Sequence, residues 1–164
     1  MQFCVQPFAV MSADDFIMGP KSCISEMIQN YNGKNMAAVM QVDRKDVSKY
    51  GILDVDYEEG RLVFAKSVYE KPSIENAKSN FAVVGRYVLS GDIFKILEET
   101  EPGVNGEIQL TDAIAKMIPS HGLVGFKFEG QRFDCGSKEG LFRAILKSAE
   151  EDEELKSIFE DLRK

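Results

Sequence analysis

Asp14 and Asp15 close a short apolar run, residues 8–13 (FAVMSA). Carboxylates at the carboxyl end of a buried strand stand where an α/β sheet normally places function. Successive side chains on a strand point to opposite faces, so at most one of the two enters a given pocket. Asp is equally at home in the turn after a strand. Asp134, followed by Cys135–Gly136, precedes a predicted helix, where an Asp also serves as a cap. Together Asp14 and Asp134 could hold one Mg2+, which needs few carboxylates and completes its shell with water and substrate phosphates. Glu70–Lys71–Pro72 ends another predicted strand. Alternation puts Glu70 and Lys71 on opposite faces, and Pro72 restricts Lys71 to an extended backbone. Such a pair can divide labour, a carboxylate for sugar hydroxyls and an ammonium for a phosphate, or it can be a plain surface pair. Gly51 and Gly85 allow either the close approach of a ligand to the backbone or a β-bulge. Glu107 lies in a glycine-containing turn before a helix. There it can accept hydroxyls or simply favour the helix dipole. His121, the single histidine, falls between Ser120 and Gly122 in a predicted exposed turn. No Ser or Cys motif accompanies it, so nucleophilic catalysis is not indicated.

These residues need elements to hold them. Residues 8–13 and 36–42 (MAAVMQV) read as apolar strands. A helix between them is marked by Ile24, Met27, Ile28 and Tyr31, with Pro20 suiting its start and Asn32–Gly33 its end. That order implies a right-handed parallel crossover. Residues 50–55 and 61–68 flank Glu58–Glu59–Gly60 as a hairpin. A polar loop over 72–80 leads to a strand at 81–89 that contains Gly85. Short and longer helices are predicted at 93–97 and 110–118. Residues 124–128 and 131–134, around Glu129–Gly130, read as a second hairpin. A helix at 138–147 turns Leu141, Ala144 and Ile145 inward. After an acidic run at 150–154, Leu155, Ile158, Phe159 and Leu162 form a narrow apolar stripe. It suits a terminal helix packed on the body or a contact with another subunit. No internal repeat or linker divides the chain, so 1–164 reads as one domain with a helical end from about 138.

Composition bounds the function classes. A chain of 164 residues with 44% apolar and 29% charged residues is ordinary globular material. Its net charge of -7 argues against a nucleic-acid surface, which needs clustered Lys and Arg. It leaves room for a small anionic substrate, because one lysine or a metal ion reverses the field of a pocket. Cys4, Cys23 and Cys135 show no C-x-x-C spacing and suggest neither a disulfide framework nor a zinc site. Residues 1–5 lack the pattern of a signal peptide, and no apolar run has the length of a membrane span. A cytoplasmic setting without membrane contact is the expectation.

The ordered set FAVMSADD, YGILDV, YEKP, SNFAVVGRY, PGVNGEIQLTDAI and RFDCGSKEG resembles bacterial UTP–glucose-1-phosphate uridylyltransferases, the UDP-glucose pyrophosphorylases. The likeness runs through nearly the whole chain. EKP or DCG alone would be weak; GEIQLTDAI following SNFAVVGRY is distinctive. The resemblance implies an α/β, Rossmann-like mixed sheet of the nucleotide-sugar transferase type. It also implies a Mg2+-dependent reaction of UTP with glucose 1-phosphate to give UDP-glucose and pyrophosphate. By motif it assigns Asp14 and Asp134 to Mg2+, Glu70 to glucose hydroxyls, Lys71 to the sugar phosphate, and Gly51, Gly85 and Glu107 to the sugar site. Asp14 and Lys71 would be the catalytic pair. The family opens with a G-x-G-T-R-type phosphate loop followed by a K-P-M motif, and the 164 residues contain neither. The expectation is therefore a C-terminal portion, truncated at the N-terminus and inactive alone. A separate N-terminal fragment or a homo-oligomer would be its partner. The alternatives are a non-catalytic sugar-phosphate-binding remnant and a related sugar-1-phosphate nucleotidyltransferase.

Overall fold

The computed structural model describes residues 6–103 and 106–162. Cys4 and the side chain of Leu162, both part of the sequence reading, lie outside the described residues, as do Val104 and Asn105 of the PGVNGEIQLTDAI motif. Eight strands are present among the described residues: β1 (Phe8–Met11), β2 (Asp15–Met18), β3 (Asn35–Gln41), β4 (Gly51–Glu59), β5 (Leu62–Glu70), β6 (Phe81–Leu89), β7 (Leu123–Lys127) and β8 (Gln131–Asp134). The helices are α1 (Cys23–Gln29), α2 (Ile93–Glu98), α3 (Leu110–His121), α4 (Lys138–Glu151) and α5 (Lys156–Leu162).

Six strands form one mixed sheet in the order β1-β6-β3-β7-β5-β4, and β2 and β8 form a separate antiparallel pair. β3 lies inside the sheet, parallel to β7 and antiparallel to β6. Its run NMAAVMQ is apolar on both faces because both are covered. Ala37 and Val39 pack toward Ile114 and Met117 of α3, whereas Met36 and Ala38 pack toward Cys23 and Met27 of α1. The two helical layers thus bury opposite sides of one strand.

The crossover expectation holds in direction but not in adjacency. β1 and β3 run parallel, yet β6 lies between them and is antiparallel to both. β1 alternates half-buried and exposed positions at the sheet edge, so residues 8–11 are not a fully buried strand. The hairpin of β4 and β5 forms as read, with partners from Gly51↔Glu70 to Glu59↔Leu62. The second predicted hairpin does not form. β7 joins the large sheet beside β3 and β5, while β8 crosses to pair with β2, Asp15 opposite Asp134 and Met18 opposite Gln131. Glu129–Gly130 supplies a turn, but pairing is decided by the more distant edges that each strand finds.

Helix α1 begins later than Pro20 suggests, capped by Ser22, whose hydroxyl accepts from the Ser25 N–H. Its Glu26 is buried and held by Arg61, two hydrogen bonds of 2.8 and 3.1 Å. The Arg61 guanidinium also lies over the Phe126 ring and donates to the Lys127 carbonyl. These hydrogen bonds hold the Glu26 carboxyl below its ordinary range, against the opposing effect of burial. A depressed carboxylate stabilises the fold above its unfolded pKa and loses that contribution as pH falls through the folded value. Glu26→Gln should therefore lower the urea midpoint most near neutral pH, and the deficit should shrink below about pH 4. A deficit that stays constant with pH would assign the effect to packing.

At the C-terminal end the inward stripe is only partly realised. Ala144 is buried, but Leu141 and Ile145 are about half exposed, beside an exposed Phe142. α4 packs on the four-residue β8 and on α5, too small a surface to cover a full apolar face. Leu155 and Ile158 are likewise exposed. Among the described residues, no helix is long and apolar enough to cross a membrane.

Candidate active site

The small β2–β8 pair carries the acidic residues. Asp134 is the last residue of β8 and Asp14 lies in the turn just before β2. The Cys135 N–H donates to the Asp14 carbonyl at 2.7 Å, which continues the β2–β8 pairing past the strand ends. Gly136 then passes between the two side chains. A Cβ on Gly136 would sit 3.1 Å from Asp14 Oδ2 and 3.2 Å from Asp134 Oδ1. The Asp134 carboxylate also accepts the Gly136 N–H at 3.2 Å. Two carboxylates thus converge on the space beside this glycine, where an added Cβ would crowd both. Ser137 follows as the cap of α4, its hydroxyl accepting the Gly140 N–H at 3.0 Å.

Among the described residues no group of three His, Cys, Asp or Glu side chains gathers as a metal site. Two converging oxygens over an open glycine fit Mg2+, which takes one or two carboxylates and keeps its remaining positions for water and phosphate. They do not fit a structural zinc centre, which needs four closed positions.

Asp15 departs from the expectation based on alternation. Asp14 belongs to a turn, so the two neighbours do not alternate as strand residues. The Asp15 carboxylate is buried. One oxygen accepts the Gly85 N–H at 2.6 Å, and the other is engaged by the guanidinium of Arg132. Arg132 and Asp134 lie two apart on β8 and share a face. The arginine sits diagonally across from Asp15 and relieves the opposition of two carboxylates on paired strands.

A cleft of about 370 Å³ opens beside this pair. Gly51, Glu70, Gly85, Asp15, Arg132 and Asp134 line it, together with Tyr50, Tyr87, Gln109 and Thr111. A second hollow of about 390 Å³ between Met11, Phe16 and α1 contains none of the predicted site residues. Gly51 starts β4 at the cleft wall; a Cβ there would meet Thr111 Oγ1 at 3.3 Å and Glu70 Oε2 at 3.4 Å. Glu70 is nearly buried and turned into the same space. Gly85 lies in a bulge of β6, where the register with β3 jumps between Ala37 and Ala38. A side chain at Gly85 would collide with Ser12 and approach Asp15 Oδ2 to 2.7 Å. The close approach at this glycine is therefore made by the protein's own Asp15 as well as by the open cleft.

Lys71 has a left-handed backbone, φ 44°, not the extended one that Pro72 suggests. Its N–H donates to the Tyr50 carbonyl at 3.0 Å, closing the end of the β4–β5 hairpin. Such a conformation costs a non-glycine residue about 1–3 kcal/mol. It also undoes the alternation, because the Lys71 ammonium returns to 3.6 Å from Glu70 Oε1. Lys71 is not among the residues that line the cleft; its ammonium stands beside Glu70, which is. Glu107 is exposed and outside the lining; Gln109, Leu110 and Thr111 supply that wall instead. His121 is the last residue of α3 rather than part of a turn. It bonds Ser120 Oγ at 2.8 Å and Asp92 Oδ2 at 3.1 Å, away from the cleft. Burial, reinforced by the charges of Asp15 and Glu70, pushes the Tyr87 hydroxyl up to about 12, so it stays protonated over the cleft.

Sequence reading passed over Arg132, Tyr50, Tyr87 and Thr111. The available signal was their position: each stands one or two residues from a residue already singled out, or, for Thr111, in the first turn of α3. What no spacing could supply was the contact between β2 and β8.

Comparison with known proteins bears on the family and the fold. A family model described as nucleotidyl transferase matches residues 2–151. The UTP–glucose-1-phosphate uridylyltransferase of Komagataeibacter xylinus is 46% identical over 134 residues, which covers 80% of this chain and 47% of that protein. That of Bacillus subtilis is 38% identical over 153 residues, 92% of this chain and 52% of the relative. A UTP-bound UGPase structure from Acinetobacter baumannii superposes with a TM-score of 0.83 at 35% identity, covering 96% of this chain and 56% of that one. A UDP-glucose pyrophosphorylase complexed with UDP-glucose gives a TM-score of 0.82 at 37% identity, with 90% and 58% covered. The chain spans about half the length of these relatives. The expected likeness to the uridylyltransferases is borne out, and so is the mixed nucleotide-sugar transferase sheet: the chain belongs to the nucleotidyl transferase family.

Proposed function

We propose that this chain is the sugar-phosphate- and metal-binding portion of a UTP–glucose-1-phosphate uridylyltransferase. The observation that carries this reading is the convergence of Asp14 and Asp134 over Gly136, next to a cleft walled by Gly51, Glu70 and Gly85. Relatives with that activity support the choice of glucose 1-phosphate and UTP as substrates. Asp14 and Asp134 would hold Mg2+, which neutralises phosphate charge when bound. Glu70 accepts hydrogen bonds from glucose hydroxyls. The Lys71 ammonium neutralises the sugar phosphate, and Glu70 keeps that ammonium at the cleft. Tyr87 remains a neutral hydroxyl donor. Glu107, exposed beside the α3 entry, closes the sugar site from outside. In the reaction an oxygen of the sugar phosphate attacks the α-phosphorus of UTP in line, and pyrophosphate leaves. No covalent intermediate on the protein is needed, so the residues act by positioning and charge neutralisation.

Such an attack also needs donors around the triphosphate. The 164 residues contain no G-x-G-T-R loop, the motif of backbone N–H groups that cradles phosphates. The 164-residue chain alone is therefore expected to give no UDP-glucose in a coupled pyrophosphate-release assay with Mg2+. Adding a polypeptide that carries the loop, in cis or in trans, is expected to give Mg2+-dependent turnover in a cytoplasmic-type buffer. Turnover by the chain alone on the ordinary enzyme scale of about 1–1000 per second would contradict this division. Failure of the completed protein, with sugar phosphate still bound, would favour a non-catalytic binding module.

A further inference from the structure

We infer that Asp15 and Arg132 form a positioning pair that couples the Asp14–Asp134 carboxylates to the glycine-walled cleft, so that Mg2+ and glucose 1-phosphate bind cooperatively. The inference rests on the substrate reading given above. Both carboxylate oxygens of Asp15 are engaged within the protein. One accepts the Gly85 N–H, in a segment of β6 that the bulge leaves without a β3 partner. The other is taken by Arg132. The Asp15 carbonyl is in turn held by Arg86, which also donates to the Ser12 carbonyl at 3.0 Å. Arg132 extends the connection: its guanidinium lies 5.6 Å over the Tyr50 ring, and Tyr50 precedes Gly51. One carboxylate therefore joins three pieces of backbone: the turn that carries Asp14, the strand that ends in Asp134, and the bulge at Gly85.

Stability alone does not account for this arrangement. A buried ion pair often contributes little compared with apolar residues of the same volume, because desolvation offsets the attraction. What it does supply is a defined distance. β2 and β8 form their own two-stranded sheet, so the acidic end could shift relative to β6 as a unit. Asp15 spans that seam. If the seam is held, a metal on the acidic side and a phosphate on the cleft side meet at a set separation, and each strengthens the other's binding. If it is loose, each site still binds its own ligand, but binding at one no longer favours the other.

The test is calorimetric titration of the full 164-residue chain with glucose 1-phosphate, with and without Mg2+. The wild-type chain is expected to bind the sugar phosphate more tightly with Mg2+ by a factor within the usual coupling range of about 5–150. In Asp15→Asn the coupling factor, taken as the ratio of affinities with and without Mg2+ within that variant, is expected to fall toward one. Arg132→Lys, which keeps the charge but loses the two-pronged contact, should behave the same way. It decides the matter if the Asp15 variant does not fold. A merely structural brace would lower the melting temperature and leave the coupling factor intact, and that result in either folded variant overturns the proposal. A wild-type chain that binds glucose 1-phosphate with no Mg2+ effect overturns the coupling while sparing the sugar site. A wild-type chain that does not bind the sugar phosphate overturns the substrate reading, and the coupling with it.

Discussion

Asp14→Asn and Asp134→Asn, each placed in a protein completed with the phosphate loop, should lower the rate of UDP-glucose formation by about a hundredfold or more at saturating UTP and Mg2+. Each substitution keeps the size of the side chain and removes one of the two charges that flank Gly136. A metal that neutralises developing phosphate charge contributes several kcal/mol to the transition state, and each 1.36 kcal/mol is about tenfold in rate. Gly136→Ala offers an independent check, because its added carbon would crowd both carboxylates, 3.1 and 3.2 Å away, without removing either charge. It should weaken Mg2+ dependence while leaving both carboxylates in place. Near-normal rates in Asp14→Asn would remove that residue from the metal site, whatever Asp134→Asn does. Asp15→Asn belongs to a different class: its carboxylate is engaged by Gly85 and Arg132, so the substitution should leave Mg2+ binding itself in place and remove the gain in sugar-phosphate affinity that Mg2+ brings.

Lys71→Ala should cost the completed enzyme more than Glu70→Gln. Hydrogen bonds to charged groups contribute about 1.5–3 kcal/mol, against about 0.5–1.5 for neutral pairs. Lys71→Ala removes the whole charged contact proposed for the phosphate, whereas Glu70→Gln keeps a carbonyl acceptor for the hydroxyls and turns a charged contact into a neutral one. The lysine variant also sheds a left-handed residue, φ 44°. Alanine does not adopt that conformation more willingly, so Lys71→Gly separates the two effects. Glycine relieves the backbone, and if the ammonium is what matters it should be as inactive as alanine. Glu70→Gln should relax sugar choice, because a fixed acceptor disappears where hydroxyl configuration is read. The readout is the ratio of kcat/KM for glucose 1-phosphate and galactose 1-phosphate. An unchanged ratio with both values reduced would make Glu70 a support for Lys71 and the strand end.

Much of the frame was legible because its signals are local. The β4–β5 hairpin follows from two alternating runs around a glycine turn, and β6 from a largely apolar nine-residue run that contains Gly85 and Arg86. α3 follows from helical spacing that starts at Leu110. The errors share a cause. β2 is four residues long, squeezed between a turn and Gly19–Pro20, and has no periodicity to detect. β8 looks like the partner of β7 because Glu129–Gly130 is good turn chemistry, but it pairs with β2 instead. A turn specifies a reversal of the chain, not the edge that a strand then finds. The site suffered in the same way. Asp14 and Asp134 could be named from their motifs, yet the Gly136 seat between them exists only through the β2–β8 contact. Pro72 predicts an extended Lys71, and a backbone hydrogen bond to Tyr50 overrides that local preference. On α4, Leu141 and Ile145 have the spacing of a core face, but spacing does not say how much surface there is to cover it.

The most direct test of the site is paramagnetic. Mn2+ can replace Mg2+ in an oxygen-ligand site, and it broadens nuclear signals close to it. The 15N-labelled chain would be titrated with Mn2+ in the presence of glucose 1-phosphate while amide and 31P signals are followed together. The expected result is early loss of the Cys135 and Gly136 amides and of the amides around Asp14, accompanied by broadening of the bound 31P signal. Both effects should be absent in Asp14→Asn. Broadening centred elsewhere, such as on the acidic run at residues 150–154, with the 31P line unaffected, would contradict the account.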